Sequence, residues 1–378
     1  MTAFFNDVVG QPHARRQLLA MAASGRMPHA LLLSGPKGNG KMPLALALAR
    51  YLCCANPQPE DACGDCPSCR AFNRFMHPDI HFAFPVVKLK PGRDVVCDDF
   101  IDSWRQMLLK TGGYIDLPTW LDTLNAQNKQ AQIFTKETDE IQRKLAYKPH
   151  MGDRQVMLVW LPEKMNAEAA NKLLKLLEEP PSGTVFLLVS EEPEAVLGTI
   201  RSRTQTVIVP PLTADDIADT LQRRYQLPPG DARQLAVRAH GDLLLALQEL
   251  KRGDENALFF DLFTRMMRLS YARRLKEMKE WSEEVAALGR EKQKSFLEYC
   301  QRMTRESFIR NFQQPALNAM NTQEAQFTDR FAPFVNTWNV TEIARELELA
   351  QQHIEQNVNP KMVFFDLALK MIVLLIRR

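Results

Sequence analysis

The chain has 378 residues, of which 45% are hydrophobic and 25% charged, and its net charge is +3 at pH 7. These values are those of a globular protein with two or three domains, and so small a charge gives no argument for nucleic-acid binding. The amino-terminal stretch does not resemble a signal peptide, and the most apolar stretch, residues 362–376, is too short and too charged to span a membrane, so we expect a cytoplasmic protein without membrane partners.

A short apolar strand at residues 30–35 runs into a glycine-rich loop, and a helix rich in Ala and Leu follows. Gly35, Gly40 and Lys41 fit the phosphate-loop pattern G-x-x-x-x-G-K in the strand–loop–helix context that this pattern requires. Backbone N–H groups of such a loop bind phosphate, and its lysine reaches the terminal phosphates. The next position, a magnesium-binding Ser or Thr in working loops, is Met42. The sequence therefore predicts a phosphate loop that lacks one magnesium ligand.

Four cysteines with metal-like spacing come next, in a predicted module at about residues 53–70. Two successive C-x-x-C gaps can place thiolates at the corners of a tetrahedron. The predicted zinc ligands are Cys54, Cys63, Cys66 and Cys69. Four thiolates leave no coordination position for water, so this zinc would be structural. Cys53 could replace Cys54, His77 or His81 is a more remote fourth ligand, and reduced buried cysteines or a redox pair are the alternatives to a metal site.

Three more apolar strands are predicted at residues 155–161, 184–190 and 205–210, and a Leu-rich helix joins the first two. Apolar strands that alternate with helices indicate an α/β fold, with a parallel sheet and helices on both faces. Between the cysteines and these strands lies an insertion, residues 86–137, to which the sequence assigns no role.

The strand at residues 155–161 also bears on catalysis. ATPases with a phosphate loop hold magnesium and orient water with carboxylates at the end of a neighbouring strand. Here the first acid is Glu163, two or three positions too late unless a bulge brings it back. Together with Met42, this second deficit predicts that the chain is not an enzyme on its own and does not use ATP and magnesium.

Arg201 and Arg203 stand in the sequence TIRSRT, residues 199–204. Their side chains would point the same way in an extended segment and would diverge in a helix. The plain alternatives to a role at a phosphate are a solvated surface pair and an internal ion pair.

After residue 210 the sequence has helical periodicity and no convincing strand. Turn signals at residues 227–230, 240–242 and 252–254 divide this part. The predicted domains are an α/β domain at residues 1–210, a small helical domain at 211–253 and a larger helical domain at 254–378.

Over residues 1–210 the chain resembles the clamp-loader branch of the AAA+ family, in the stretches FNDVVGQPHARRQL, SGPKGNGK, CGDCPSC, LLKLLEEPP and TIRSRT. This resemblance implies a P-loop-type α/β domain with an embedded zinc module, a helical lid and a C-terminal collar that packs into a ring of five subunits. A Ser-Arg-Cys motif of the family supplies an arginine to the ATP site of the neighbouring subunit. Arg203 matches that arginine, although Thr204 replaces the cysteine, and Leu244 takes the place of an arginine in the lid of active members.

The resemblance also implies a function in DNA replication, as part of the DNA polymerase III holoenzyme. The chain would be a non-hydrolysing stator that supplies Arg203 in trans as an arginine finger while a sliding clamp is loaded onto primed DNA. The implied partners are an ATPase subunit of the gamma/tau type, a delta subunit, the clamp indirectly and primer–template DNA. DNA contacts are expected from lysines such as Lys88, Lys90, Lys172 and Lys175.

Two alternatives remain open to the sequence. The chain could be an ATP-hydrolysing clamp-loader subunit of the gamma/tau type, which binds ATP through Lys41 and recruits magnesium with other groups. It could instead be a non-replicative P-loop scaffold that uses the cysteine module to bind DNA or protein.

Overall fold

A computed structural model of the chain describes residues 3–25, 27–88, 94–127, 129–312, 320 and 322–376. The chain divides into two compact units, Met1–Glu249 and Leu250–Arg378. No helix of the described residues is both long enough and apolar enough to cross a bilayer.

A five-stranded parallel sheet forms the centre of the first unit, with the strand order β2-β3-β4-β1-β5. The strands are β1 Ala30–Ser34, β2 Ile80–Ala83, β3 Gln155–Trp160, β4 Thr184–Ser190 and β5 Gln205–Ile208. Strands β1, β3 and β4 are buried along their whole length, as expected of apolar strands in a sheet that helices cover. The predicted α/β fold with a parallel sheet is confirmed.

Helices surround this sheet and make up the second unit. Those of the first unit are α1 Pro12–Ala23, α2 Lys41–Leu52, α3 Pro67–Phe72, α4 Ile101–Thr111, α5 Leu117–Thr123, α6 Thr135–Leu145, α7 Ala167–Glu178, α8 Gly198–Arg201, α9 Ala214–Tyr225 and α10 Pro229–Arg238. The boundary between the units falls within α11, Leu243–Ala272. The second unit continues with α12 Leu275–Ala286, α13 Arg290–Arg310, α14 Thr322–Phe331, α15 Val340–Glu355 and α16 Pro360–Leu374.

The four predicted strands are all present, and β2 is the strand that the sequence reading missed. It has only four residues, IHFA, and a histidine interrupts its apolar character. Its pairing with β3 along the whole of its length compensates for this weak local signal.

The turn predicted at residues 252–254 is wrong, because α11 continues through them. A glycine inside a helix costs about 1 kcal/mol relative to alanine. The following turns of α11 bury four large side chains at helical spacing: Phe259, Leu262, Phe263 and Met266. This burial outweighs the local preference for a turn.

The second unit has a hydrophobic core of its own, to which α11–α16 contribute. Trp281, Phe296 and Phe364 meet near its centre, with ring centroids 6.2 Å apart in each pair. Trp281 Nε1 also donates to the carbonyl of Leu262, 3.0 Å away, so its polar atom is satisfied inside the core.

Candidate functional site

The carboxyl ends of three buried strands meet at one edge of the sheet. Ser34 at the end of β1 pairs with Ser190 at the end of β4, and Trp160 at the end of β3 pairs with Val189. The glycine-rich loop follows β1, so it lies at this edge. In parallel α/β sheets this edge is where ligands bind.

The loop is held in shape by close backbone packing. A Cβ atom on Gly35 would lie 2.0 Å from the carbonyl oxygen of Val209, so no other residue fits there. Asn39 Nδ2 donates to the same carbonyl at 2.6 Å. Gly40 caps α2 with a left-handed φ of 91°. The loop is therefore fixed in one conformation by its packing against Val209.

Lys41 is bound to its own loop. Its Nζ donates to the carbonyl oxygen of Pro36 at 2.7 Å and to Asn39 Oδ1 at 3.2 Å, and only 4% of the residue is exposed. Burial lowers the pKa of Lys41 to about 8, although the nearby carboxylates Glu191, Glu163 and Asp242 oppose this shift. The hydrogen-bond acceptors of the ammonium group are thus two residues of the loop, Pro36 and Asn39.

The two carboxylates that act on Lys41 from the sheet edge are Glu163 and Glu191. Glu163 Oε1 accepts the backbone N–H groups of Glu191 and Glu192, at 2.8 and 3.1 Å, so it is bound to the end of β4. Glu191 lies beside the loop, and burial raises the pKa of its carboxyl. The sequence reading missed Glu191, whose signal was its position directly after an apolar strand that neighbours β1.

Side chains and backbone fill the space in front of the loop. The cavity left there measures about 20 Å³, which is room for about one water molecule. Pockets for small ligands are usually about 300–1,000 Å³. The residues that line it are Gly38, Asn39, Gly40, Lys41, Met42, Pro43, Gly113, Tyr114, Ile115, Trp160, Val189, Glu191 and Leu244. Met42 and Leu244, both singled out in the sequence, thus lie at the loop.

A pH dependence follows from the lowered pKa of Lys41. Between about pH 8 and the unfolded value of 10.5, the unfolded chain binds more protons at this residue than the folded chain does. The free energy of unfolding should therefore rise with pH across this window, by about 3 kcal/mol relative to the Lys41→Met variant. Urea denaturation of both proteins from pH 7.5 to 10.5 measures this, and parallel pH profiles would contradict it.

The cysteine module brings together the four predicted ligands. The sulfur atoms of Cys54, Cys63, Cys66 and Cys69 all lie within 4.8 Å of one another. The distance from Cys63 Sγ to Cys54 Sγ is 3.4 Å and that to Cys69 Sγ is 4.0 Å. Four thiolates about 2.3 Å from a tetrahedral zinc ion lie about 3.8 Å apart. The donor set therefore fits a zinc ion, with no coordination position left over for catalysis.

Backbone N–H groups also donate hydrogen bonds to these sulfurs, which favours the thiolate form that binds a metal. Those of Cys66 and Cys69 donate to the sulfur atom three residues earlier, both at 3.4 Å. N–H groups of Cys66 and Asp65 lower the pKa of the Cys63 thiol to about 6. Metal binding requires the thiolate, so this environment favours coordination.

The other residues considered as ligands have different partners. Cys53 Sγ lies 3.9 Å from the carbonyl oxygen of Arg154, and burial raises the pKa of this thiol to about 12. His77 Nδ1 accepts the N–H group of Asp79, so Nε2 carries the proton and donates to Ser68 Oγ at 2.7 Å. The four-sulfur group includes neither Cys53 nor a histidine.

The cysteine module is joined to the amino-terminal segment. Asp61 accepts the backbone N–H groups of Phe5 and Asn6 at 3.2 and 3.0 Å. Phe4 packs against the module, and the guanidinium group of Arg50 lies 3.7 Å from its ring centroid. The module therefore stabilises the start of the α/β unit.

The two arginines of TIRSRT diverge, as the helical alternative predicted, because Arg201 ends α8. Arg203 Nη2 lies 2.5 Å from Glu178 Oε1, and Nη1 donates to the carbonyl of Thr199 at 3.1 Å. Arg201 pairs instead with Glu194 at 2.7 Å. Their side chains are 37% and 36% exposed, so each is accessible beside its ion pair.

Two of the four lysines expected to contact DNA have partners within the chain. Lys172 Nζ lies 2.7 Å from Asp139 Oδ1, and Lys88 Nζ lies 4.8 Å from the centroid of the Phe134 ring. Lys90 lies outside the described residues. The expected DNA contact stays a prediction.

The sequence is similar to one protein family and to several named relatives. A family model described as DNA polymerase III, delta subunit matches residues 10–213, more than half of the chain. The chain is 34% identical over 190 residues to the DNA polymerase III subunit delta' of Yersinia pestis, a match that covers 50% of this chain and 43% of that one.

Two further relatives are similar over longer stretches. The subunit delta' of Pseudomonas aeruginosa is 32% identical over 222 residues, which covers 59% of this chain and 55% of that one. The subunit gamma/tau of Mycobacterium tuberculosis is 30% identical over 259 residues, which covers 66% of this chain and 38% of that one. The chain thus spans about half the length of these curated relatives, or less. The family match, and the relatives named delta' among these, show that the chain belongs to the DNA polymerase III delta-prime family of clamp-loader proteins.

Proposed function

We propose that the chain is a non-hydrolysing subunit of a DNA polymerase III clamp loader, and that it acts in DNA replication as a stator while its neighbours use ATP. The observation that carries this proposal is the filled space at the phosphate loop. Lys41 is bonded to the loop itself, Met42 supplies no oxygen for magnesium, and the remaining cavity of about 20 Å³ is far smaller than a nucleotide.

Chemistry would then occur across a subunit boundary, through Arg203. A guanidinium group is planar, permanently charged and able to bind phosphate oxygens in pairs, so it stabilises charge on a phosphoryl group in transfer. The partial exposure of Arg203, two residues beyond a short helix, suits a residue that reaches into a neighbouring subunit. Its ion pair with Glu178 would have to open when it does so.

The rest of the assignment follows from the family. The proposed domains are the AAA+ domain at residues 1–210, the lid at 211–253 and the collar at 254–378. The proposed partners are an ATPase subunit of the gamma/tau type, a delta subunit, the sliding clamp through them and primer–template DNA, in the cytoplasm. Zinc bound by the four cysteines would be a structural cofactor.

The second candidate, an ATP-hydrolysing subunit, is favoured by one observation, the 30% identity to a gamma/tau subunit. The two candidates differ in what Lys41 does. We expect the purified chain to show no ATPase activity, and Lys41→Ala to load clamps as fast as wild type when either is combined with ATPase, delta and clamp partners and primed DNA. ATP turnover by the purified chain that disappears in Lys41→Ala would establish the second candidate instead.

A further inference from the structure

The insertion at residues 86–137 contributes a segment that lies directly on the phosphate loop. This segment, residues 112–116, joins α4 to α5. Gly113 has a φ of 86°, and a Cβ atom there would lie 2.8 Å from Leu46 Cδ1 and 3.3 Å from the backbone nitrogen of Pro43. Its backbone is thus packed against the first turns of α2, the helix whose amino-terminal end would bind phosphate.

Tyr114 connects the loop with the amino-terminal segment. The residue is 6% exposed, and its hydroxyl accepts the backbone N–H group of Val9 at 2.9 Å. The same hydroxyl would lie 3.4 Å from a Cβ atom on Gly40. The ring of Tyr114 therefore occupies the space between the loop and residues 8–9, and its hydroxyl oxygen accepts from a buried N–H group.

Asp116 gives the segment a charge that matches the loop. Its carboxylate accepts from Lys37 Nζ at 3.3 Å and from the backbone N–H group of Thr119 at 2.9 Å. One buried acid thus binds a lysine of the phosphate loop and caps α5 at the same time. Asp116 therefore places a carboxylate beside the loop, where it forms an ion pair with Lys37.

The loop is closed from another direction by the start of α11. The backbone N–H group of Leu243 donates to the carbonyl of Gly38 at 3.2 Å, and Leu244 lines the small cavity with Tyr114. These contacts join the loop, residues 8–9 and residues 242–244 to one another.

We propose that residues 112–116 are a built-in occupant of the nucleotide pocket, which excludes nucleoside di- and triphosphates and holds the loop and residues 242–244 in one arrangement. This inference rests on the proposed function. It explains why a stator would keep one shape while its neighbours respond to ATP. It also assigns a role to the insertion. The alternative is that the segment is ordinary packing beside a pocket that ADP can still enter.

Binding of a fluorescent ADP analogue, with and without magnesium, tests the proposal on four proteins. Wild type, Tyr114→Phe and Tyr147→Ala should show no binding at millimolar ADP, because each keeps the ring of residue 114. Tyr147 is 62% exposed and lies outside the segment, so it controls for loss of a tyrosine. Tyr114→Ala should bind ADP with a Kd at least tenfold below the highest concentration at which wild type shows no binding, and ADP near 100 times this Kd should raise the Tm of the variant by about 5–10 °C.

Hydrogen exchange on the wild type provides a readout that does not depend on the folding of a variant. The amide of Val9 should exchange slowly, and millimolar ADP should leave the exchange of residues 36–41 unchanged. Protection of these residues by ADP, or a folded Tyr114→Ala that gains no affinity, would overturn the proposal. Neither result would contradict the proposed role of Arg203. Clamp loading with Arg203→Ala tests that role separately.

Discussion

Replacing Arg203 with alanine is expected to abolish the contribution of one ATP site in the assembled clamp loader while leaving assembly intact. An arginine supplied in trans is worth about 10³–10⁵ in the rate of phosphoryl transfer, or roughly 4–7 kcal/mol of barrier. Under the proposed role of Arg203, the neighbouring ATP site should therefore hydrolyse almost no ATP. ATP hydrolysis stimulated by clamp and primed DNA, and clamp loading itself, measure the loss. The ring should still form, because the variant removes one surface ion pair, whose contribution to stability is at most about 1 kcal/mol.

Arg201→Ala is the matched control for this experiment. Arg201 is two residues away, is exposed to almost the same extent and also forms an ion pair, with Glu194. It should behave as wild type. Arg203→Lys keeps the charge but loses the planar pair of donors, and should restore little of the rate. Equal activity of Arg203→Ala and Arg201→Ala would mean that the ion pair with Glu178 is the whole role of Arg203.

Replacing one residue of the four-cysteine group is expected to cause the largest change in stability, through loss of the proposed zinc ion. The purified chain should carry about one zinc ion, and Cys66→Ser should carry none. Binding of a structural zinc ion supplies folding free energy directly, so the variant should lose about 3 kcal/mol or more of stability. Asp61 would lose its fixed position, and with it the backbone of Phe5 and Asn6. Native mass spectrometry measures the metal, and thermal unfolding with and without a chelator measures the stability.

Cys53→Ala separates the metal from the mere loss of a cysteine. Cys53 is buried next to Cys54 but stands outside the four-sulfur group. This variant should keep its zinc and lose only the small packing contribution of one sulfur atom. Equal zinc content in wild type and Cys66→Ser, or a chelator that leaves the Tm unchanged, would refute a structural metal site at these four residues.

The sequence predicted the parts of this site that depend on local pattern. A phosphate loop needs a strand, glycines at fixed positions and a helix, and all three lie within residues 30–52, so they can be recognised without the fold. The cysteines can be recognised for the same reason, because Cys63, Cys66 and Cys69 follow one another at intervals of three residues. The choice between Cys53 and Cys54 was different, because neighbouring residues are equivalent in spacing. Packing decided it, with Cys53 beside Arg154 and Cys54 beside Cys63.

Contacts between residues far apart in the sequence could not be predicted from local pattern. Nothing in the local sequence of Gly113 and Tyr114 indicates that they pack against Pro43 and bond to Val9, because these contacts depend on how the insertion folds back. Glu191 likewise acts on Lys41 only because β4 is hydrogen-bonded to β1.

The sequence by itself therefore determined the fold class, the glycine-rich loop, the four-cysteine group and the lack of a hydroxyl at residue 42, since each depends on spacing or residue type. The tertiary structure alone decided what fills the space in front of the loop and which acid each arginine meets. Those contacts join segments separated by up to about 200 residues, as between Gly38 and Leu243, and their geometry exists only once the sheet has brought the strand ends together.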